Sequence, residues 1–380
     1  MLKNRDMKQI FQAAKAVLVC AFLLAAVALS AQERRYVQAY ELNVIGKALP
    51  TGGVYQRFDP KPYGMNGLRG QQAEMSTGLA VCFKTDARSI GVRWKIGGFR
   101  SHTNMTPTVA CGFDLYIKRD GHWVFAGSVG PGRLADQYEA TLVRDMAEGE
   151  KECVVYLPTF DHLDEMELSV EEGARIEPMP NPFRHKIVVK GSSITHGASA
   201  SRPGATWPAR LCRELGLYCV NMGFSGNSKL QEDFAHVLAD MDMDAIIFDA
   251  FSNPSAEDIR ARFDTFVDII REAHPDIPLI FIQTLRRDSG NFNETTRAYE
   301  REKKAAAAEV AKRRAKMDKN LYFLEVDEWI GTDGYGSVDG IHPNDLGIDR
   351  MLRQVSPKVA RILKKYGIKY KKAAVWLPFF

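Results

Sequence analysis

The sequence predicts two parts, an antiparallel β-sandwich followed by an α/β domain built on a parallel sheet, and three observations support this. Short apolar stretches divided by turn residues run from about Tyr36 to Pro178 with no convincing helix among them, the pattern of a sandwich. After Arg184, fully apolar segments alternate with helix-period segments, the pattern of a parallel sheet covered on both faces. The chain has 380 residues, 45% hydrophobic and 26% charged, which fits about two globular domains and excludes a disordered, collagenous or many-helix membrane protein.

The chain starts with Lys3, Arg5, Lys8 and Lys15, then an apolar run over 16–29, then Ser30-Ala31. This predicts a secretory signal peptide over 1–31, cleaved after Ala31, and hence a secreted or periplasmic protein. A membrane anchor would need about 20 apolar residues. A lipid attachment at Cys20 is disfavoured by Leu18-Val19 before it. Cleavage removes four basic residues and Asp6, taking the formal net charge from +4 to about +1, too little to attract nucleic acid. The Lys/Arg-rich stretch from Arg361 to Lys372 reads as a solvated helix end, and 368–380 as a basic, aromatic tail. Cys82, Cys111, Cys153, Cys212 and Cys219 are odd in number and lack C-x-x-C spacing, so buried thiols are expected, with neither a disulfide framework nor a zinc site.

In chain order, 79–83, 90–94, 113–117, 123–126, 153–157 and 166–170 are the sandwich strands. The Pro-rich connector 178–182 marks the boundary, giving an N-terminal domain over 32–182 and a second over 183–367. In the second, 187–189, 219–220, 245–248, 279–282 and 322–324 are parallel strands. The clearest helix has Ser255 as N-cap and Asp258 three residues on, with Ile259, Phe263, Phe266, Ile269 and Ile270 on one face. A long helix is expected over 295–317.

Ligands of such a sheet bind beyond the strands' carboxyl ends, so residues following strands are the candidates. After the first comes Gly191-Ser192-Ser193-Ile194-Thr195-His196, after the second Ser225-Gly226-Asn227, after the third Ser252-Asn253-Pro254, and before the last helix Asp339-Gly340-Ile341-His342. Each alone reads equally well as a turn. The Asp-x-x-His spacing even recurs at Asp233 and His236, where a solvated helical pair is the better reading. The joint occurrence of the four, in order, carries the signal.

These blocks resemble those of the SGNH/GDSL hydrolase family over roughly 186–367. Gly112-Phe113-Asp114-Leu115-Tyr116 is similar to the Gly-x-Asp-Leu-Tyr signature of a domain joined to that hydrolase type. The resemblance implies a three-layer, flavodoxin-like hydrolase domain preceded by a jelly-roll-like sandwich. It implies Ser193 as nucleophile, His342 as base, Asp339 as its orienting carboxylate, and an oxyanion hole of Ser193, Gly226 and Asn253. Ser192 stands where the family usually has Asp, and the block at Asn253 lacks its Gly-x-Asn-Asp form. The residue types fit such chemistry: a serine hydroxyl needs a base, and the base an orienting group. No metal or organic cofactor is expected. His196 either contacts substrate or packs beside the nucleophile loop, and Trp207 either lines the pocket or belongs to a helix core. Asp114 and Tyr116 are expected to be structural. The polar segment 100–105 is a candidate wall for the cleft from the sandwich side. The implied activity is hydrolysis of small acyl esters, foremost O-acetyl groups on carbohydrate. Alternatives are a lipase or thioesterase, or a non-catalytic carbohydrate-binding protein.

Overall fold

The structure, a computed structural model, describes residues 33–97, 103–133, 135–326 and 328–370. The expected leader over 1–31 and the tail beyond 370 lie outside these residues.

The first half is a sandwich of ten strands. They are β1 (Arg34–Gln38), β2 (Asn43–Ile45), β3 (Ala80–Thr85), β4 (Ile90–Ile96), β5 (Phe113–Arg119), β6 (His122–Val129), β7 (Tyr138–Val143), β8 (Lys151–Tyr156), β9 (Leu163–Glu171) and β10 (Ile176–Pro178). One antiparallel sheet runs β1-β9-β4-β7; the other runs β10-β3-β8-β5-β6, with β2 beside β3. Trp94 fills the space between them, stacked on Tyr138 and edge-on to Phe113. Asp120 and Gly121, both at positive φ, close the β5–β6 hairpin, as a two-residue turn matched to strand twist requires. Contrary to expectation, the described residues of this half also include two α-helices, α1 (Gly67–Glu74) and α2 (Pro107–Cys111). α1 has few apolar residues to mark its period, and α2 is a single short segment started by Thr106 and Pro107.

The second half carries β11 (Arg184–Gly191), α3 (Ser193–His196), α4 (Trp207–Leu215), β12 (Leu217–Gly223), α5 (Glu232–Ala239), β13 (Ala245–Asp249), α6 (Ala256–Ala273), β14 (Leu279–Ile282), α7 (Glu294–Ala315), β15 (Leu321–Leu324) and α8 (Asp345–Lys365). The five strands are all parallel in the order β12-β11-β13-β14-β15. This is the flavodoxin-like order, with its crevice where β11 lies between β12 and β13. α5, α6 and α7 cover one face and α4 and α8 the other. Ser255 and Asp258 form a reciprocal capping box at the start of α6, which buries Ile259, Phe263, Phe266, Val267 and Ile270, leaving Ile269 half-buried.

The cores do not divide at the Pro-rich connector. Ala48, Phe58, Met65 and Ala73 leave the sandwich and pack with Val188, Phe224 and Phe234 on the parallel sheet. Arg57, wholly buried, donates to the carbonyls of Asn221 and Gly223 at the end of β12, and to that of Gln72. The Gly-x-Asp-Leu-Tyr stretch joins the halves as well. Asp114 accepts the Gly204 N–H at 2.8 Å and pairs with Arg202 at 3.3 Å, while Arg213 lies over the Tyr116 ring. A side chain at Gly204 would strike the Tyr116 and Tyr156 rings, so only glycine fits there. Among the described residues, Cys82, Cys153, Cys212 and Cys219 are free thiols.

Candidate active site

β11 delivers the chain into a single helical turn. Ser192 caps it, its Oγ accepting the Ile194 N–H, and Gly197 ends it at φ 117°. The turn is anchored from the neighbouring strand, because Asp249 at the end of β13 accepts from Ser192 N–H, Ser192 Oγ at 2.6 Å and Thr195 Oγ1. The other Asp249 oxygen takes the Ser252 hydroxyl at 2.7 Å, so one carboxylate ties together the loops after β11 and β13. Asp249 therefore anchors the nucleophile turn of a chain in which Ser192 occupies the usual Asp position. Gly191 is required at the approach, since a Cβ there would lie 2.2 Å from Thr195 Oγ1.

Ser193 Oγ emerges 2.8 Å from His342 Nε2. The other ring nitrogen, Nδ1, lies 2.7 Å from Asp339 Oδ2, while Asp339 Oδ1 accepts the N–H groups of Ile341 and His342. With Nδ1 donating to Asp339, Nε2 is left to accept the Ser193 proton. Partial burial alone would raise the Asp339 carboxyl, but the His342 N–H, the His342 ring and Asn104 hold it down at about 2. Asn104, from the sandwich, donates its amide to Asp339 Oδ2 at 3.0 Å and lies 3.2 Å from His342 Nδ1. Its loop is fixed to the second half by Ser199 Oγ on the Asn104 carbonyl and Thr106 Oγ1 on the Ser201 carbonyl.

Ser193 N–H starts α3, Gly226 sits exposed at φ 71° in the turn after β12, and Asn253 follows β13. Asn253 Oδ1 accepts the Ser228 N–H at 3.4 Å, joining these two loops. Among the described residues, the Ser193 and Gly226 N–H groups and Asn253 Nδ2 make no hydrogen bond, so three neutral donors stay available.

Two expected substrate contacts are corrected. His196 has no exposed surface: its Nε2–H donates to the Thr159 carbonyl at 2.7 Å, its Nδ1 accepts the Ser225 N–H, and its ring stacks on Phe160. It supports the Gly226 turn from behind. Trp207 is 1% exposed and packs with Leu211 and Leu215 inside the α4–sheet layer. The Asp233–His236 spacing is not a solvated pair: His236 is exposed, whereas Asp233 is largely buried and pairs with Arg69. Of the segment 100–105, 100–102 lie outside the described residues; Asn104 reaches the site. Asp249 went unread, although a carboxylate ending an apolar strand just before Asn253 was a visible signal.

Residues 184–360 match the family described as GDSL-like Lipase/Acylhydrolase, and residues 34–176 match the N-terminus of Esterase_SGNH_hydro-type. No curated protein matches the sequence. A crystal structure of a chain provisionally assigned as a GDSL-like lipase, from Bacteroides ovatus, is 44% identical, covering 89% of this chain and 99% of that one, with a TM-score of 0.85. The fold is shared with a salicylyl-acyltransferase from a tetracycline biosynthetic pathway at 24% identity, covering 88% and 98%, TM-score 0.62. It is shared too with a family two carbohydrate esterase from Clostridium thermocellum, solved with cellohexaose, at 16% identity, covering 76% and 93%, TM-score 0.53.

Proposed function

This chain belongs to the GDSL-like lipase/acylhydrolase family and is an ester hydrolase; on that premise we propose that it is an exported serine esterase releasing small acyl groups, foremost O-acetyl, from carbohydrate. The observation that carries the catalytic part is the hydrogen-bonded series Ser193 Oγ, His342 Nε2, His342 Nδ1, Asp339 Oδ2, at 2.8 and 2.7 Å. Ser193 Oγ attacks the ester carbonyl as His342 Nε2 takes its proton. The oxyanion is held by the Ser193 and Gly226 N–H groups and Asn253 Nδ2, each such donor being worth about 2.7–4 kcal/mol. Imidazolium returns the proton to the departing sugar oxygen, and water activated by the same nitrogen then cleaves the acyl-serine. Asp339 fixes the tautomer throughout and stabilises the imidazolium.

The reading of a polar, short-acyl substrate is supported by the polar side chains beside the base, where Asn104 meets both Asp339 and His342. Export rests on the N-terminal pattern of Lys and Arg, apolar run and Ser30-Ala31. The deciding experiment is a panel of acetylated polysaccharides and p-nitrophenyl esters of rising chain length. Acetate release with a steep decline beyond short acyl chains supports the proposal, and a preference for long-chain esters replaces it with a lipase. Sugar binding without turnover of any ester marks a binding protein.

A further inference from the structure

We propose, building on the carbohydrate-esterase reading, that a cavity beside the candidate active site is a subsite for an anionic sugar unit, carboxylated or sulfated, of the same substrate. The cavity has a volume of about 350 Å³; Arg286 and Arg287 from the segment after β14 line it, with Arg297, Arg301 and Lys304 from α7. One acid, Glu300, faces these five cationic side chains, and it is already engaged by Arg287 at 3.3 Å and Lys303 at 2.7 Å. Arg297 pairs with Glu294 at the surface, whereas exposed Arg301 has no hydrogen bond or ion pair among the described residues. Such a cluster does not follow from the composition, since 51 basic and 47 acidic residues nearly cancel. Like charges gathered in a concavity repel one another unless a ligand neutralises them, and they raise the local concentration of anions. Guanidinium forks match carboxylate and sulfate oxygens two at a time.

The position of the cavity links it to catalysis. Arg287 donates to the Ser252 carbonyl at 2.6 Å, immediately before Asn253. On the other side, the Ser289 N–H donates to the Gly340 carbonyl at 3.1 Å, and Ser337 Oγ donates to Asp288, so the same segment braces the Asp339–His342 turn. A sugar whose acyl group lies at Ser193 would thus place a neighbouring unit against the arginines. Phe292, wholly exposed and next to Asn291 of the cavity wall, offers a ring on which that unit can lie.

The test measures inhibition of p-nitrophenyl acetate hydrolysis by trigalacturonate, a sulfated trisaccharide and neutral xylotriose, in the full protein and in R297Q/R301Q. Competitive inhibition by at least one anionic trisaccharide, weakened about tenfold or more both in the double variant and in 0.5 M NaCl, is the expected result, with xylotriose indifferent to either change. Which anion inhibits identifies the charged group. Equal inhibition by neutral and anionic trisaccharides, unchanged inhibition in the variant, or none by either anion overturns the subsite. If p-nitrophenyl acetate is not turned over at all, the esterase reading fails separately, and calorimetric titration with the same trisaccharides decides the subsite.

Discussion

The amide of Asn104 lies 3.0 Å from Oδ2 of Asp339, joining residues 235 positions apart and belonging to different halves of the chain. That oxygen also faces the Nδ1–H of His342, so a sandwich residue shares in placing the carboxylate that orients the base. The sandwich is thereby part of the site's construction.

N104A should lower kcat on p-nitrophenyl acetate about tenfold with KM within about twofold. A hydrogen bond to a charged group is worth about 1.5–3 kcal/mol when buried, and this partly exposed one falls at or below the lower end. N104D should lose more, because a second carboxylate beside Asp339 repels it and favours protonation. Variants both within twofold of the parent would reduce Asn104 to loop packing.

The two histidines near Ser193 should separate by kind of damage. H342A should cost about 10⁴-fold in kcat with little change in melting temperature, since its ring is partly exposed and its loss breaks the triad. H196A removes a buried ring stacked on Phe160 and two hydrogen bonds, so it should lower the melting temperature by roughly 5 °C or more. Thermal unfolding and initial rates on both variants make the comparison. A stable, inactive H196A beside an active H342A would reverse the roles.

How much of this was legible follows from what each residue touches. The segments 187–189, 245–248 and 279–282 announced a parallel sheet because strands buried on both faces leave no room for polar residues. The spacing of Ser193, Gly226, Asn253, Asp339 and His342 was readable because each follows a strand or precedes the last helix. Asn104 was legible only within the segment 100–105 and Asp249 only as a carboxylate ending an apolar strand, since their partners come from other elements and no local pattern names those partners. Phe58 and Arg57 misled in the same way: within residues 46–76 nothing marks them as part of the second core. His196 lies three residues from Ser193, yet a one-turn helix directs it inward.

Asp249→Asn should affect catalysis without changing side-chain volume. The carboxylate accepts from Ser192, Thr195 and Ser252, and an amide must present one donor where only acceptors are wanted. We expect kcat to fall about 10²-fold, KM to change little, and stability to drop by about 1–3 kcal/mol. Retained kcat at reduced stability would confine Asp249 to folding.

A fragment beginning at residue 183 should not reach a cooperative fold. It lacks Phe58, Met65 and Ala73 from the core on the sheet face and Arg57 from the end of β12, leaving apolar surface and two strand-end carbonyls uncovered. Weak near-ultraviolet dichroism and a broad thermal transition are the expected signs. A sharp transition near that of the full protein would show the halves to be independent.

The seam should also carry a pH dependence through Asp114. Burial pushes its carboxyl up to about 6, while the Gly204 N–H and then Arg213 and Arg202 oppose the rise without cancelling it. The folded value therefore lies above the unfolded one of about 3.9, so between roughly pH 4 and 6 the folded chain holds a proton that the unfolded chain has released. Stability from this group is present in full below about pH 4 and is lost as pH rises through about 6, by at most about 3 kcal/mol. In D114N the amide oxygen can still accept the Gly204 N–H, but nothing titrates. The difference in unfolding free energy between parent and D114N, from urea titrations at pH 4.5, 5.5, 6.5 and 7.5, should thus shift toward the variant as pH rises and level off above about 7. A difference that is flat, or that moves toward the parent with rising pH, would mean that the Arg202 and Arg213 charges outweigh burial and keep Asp114 ionised across the range.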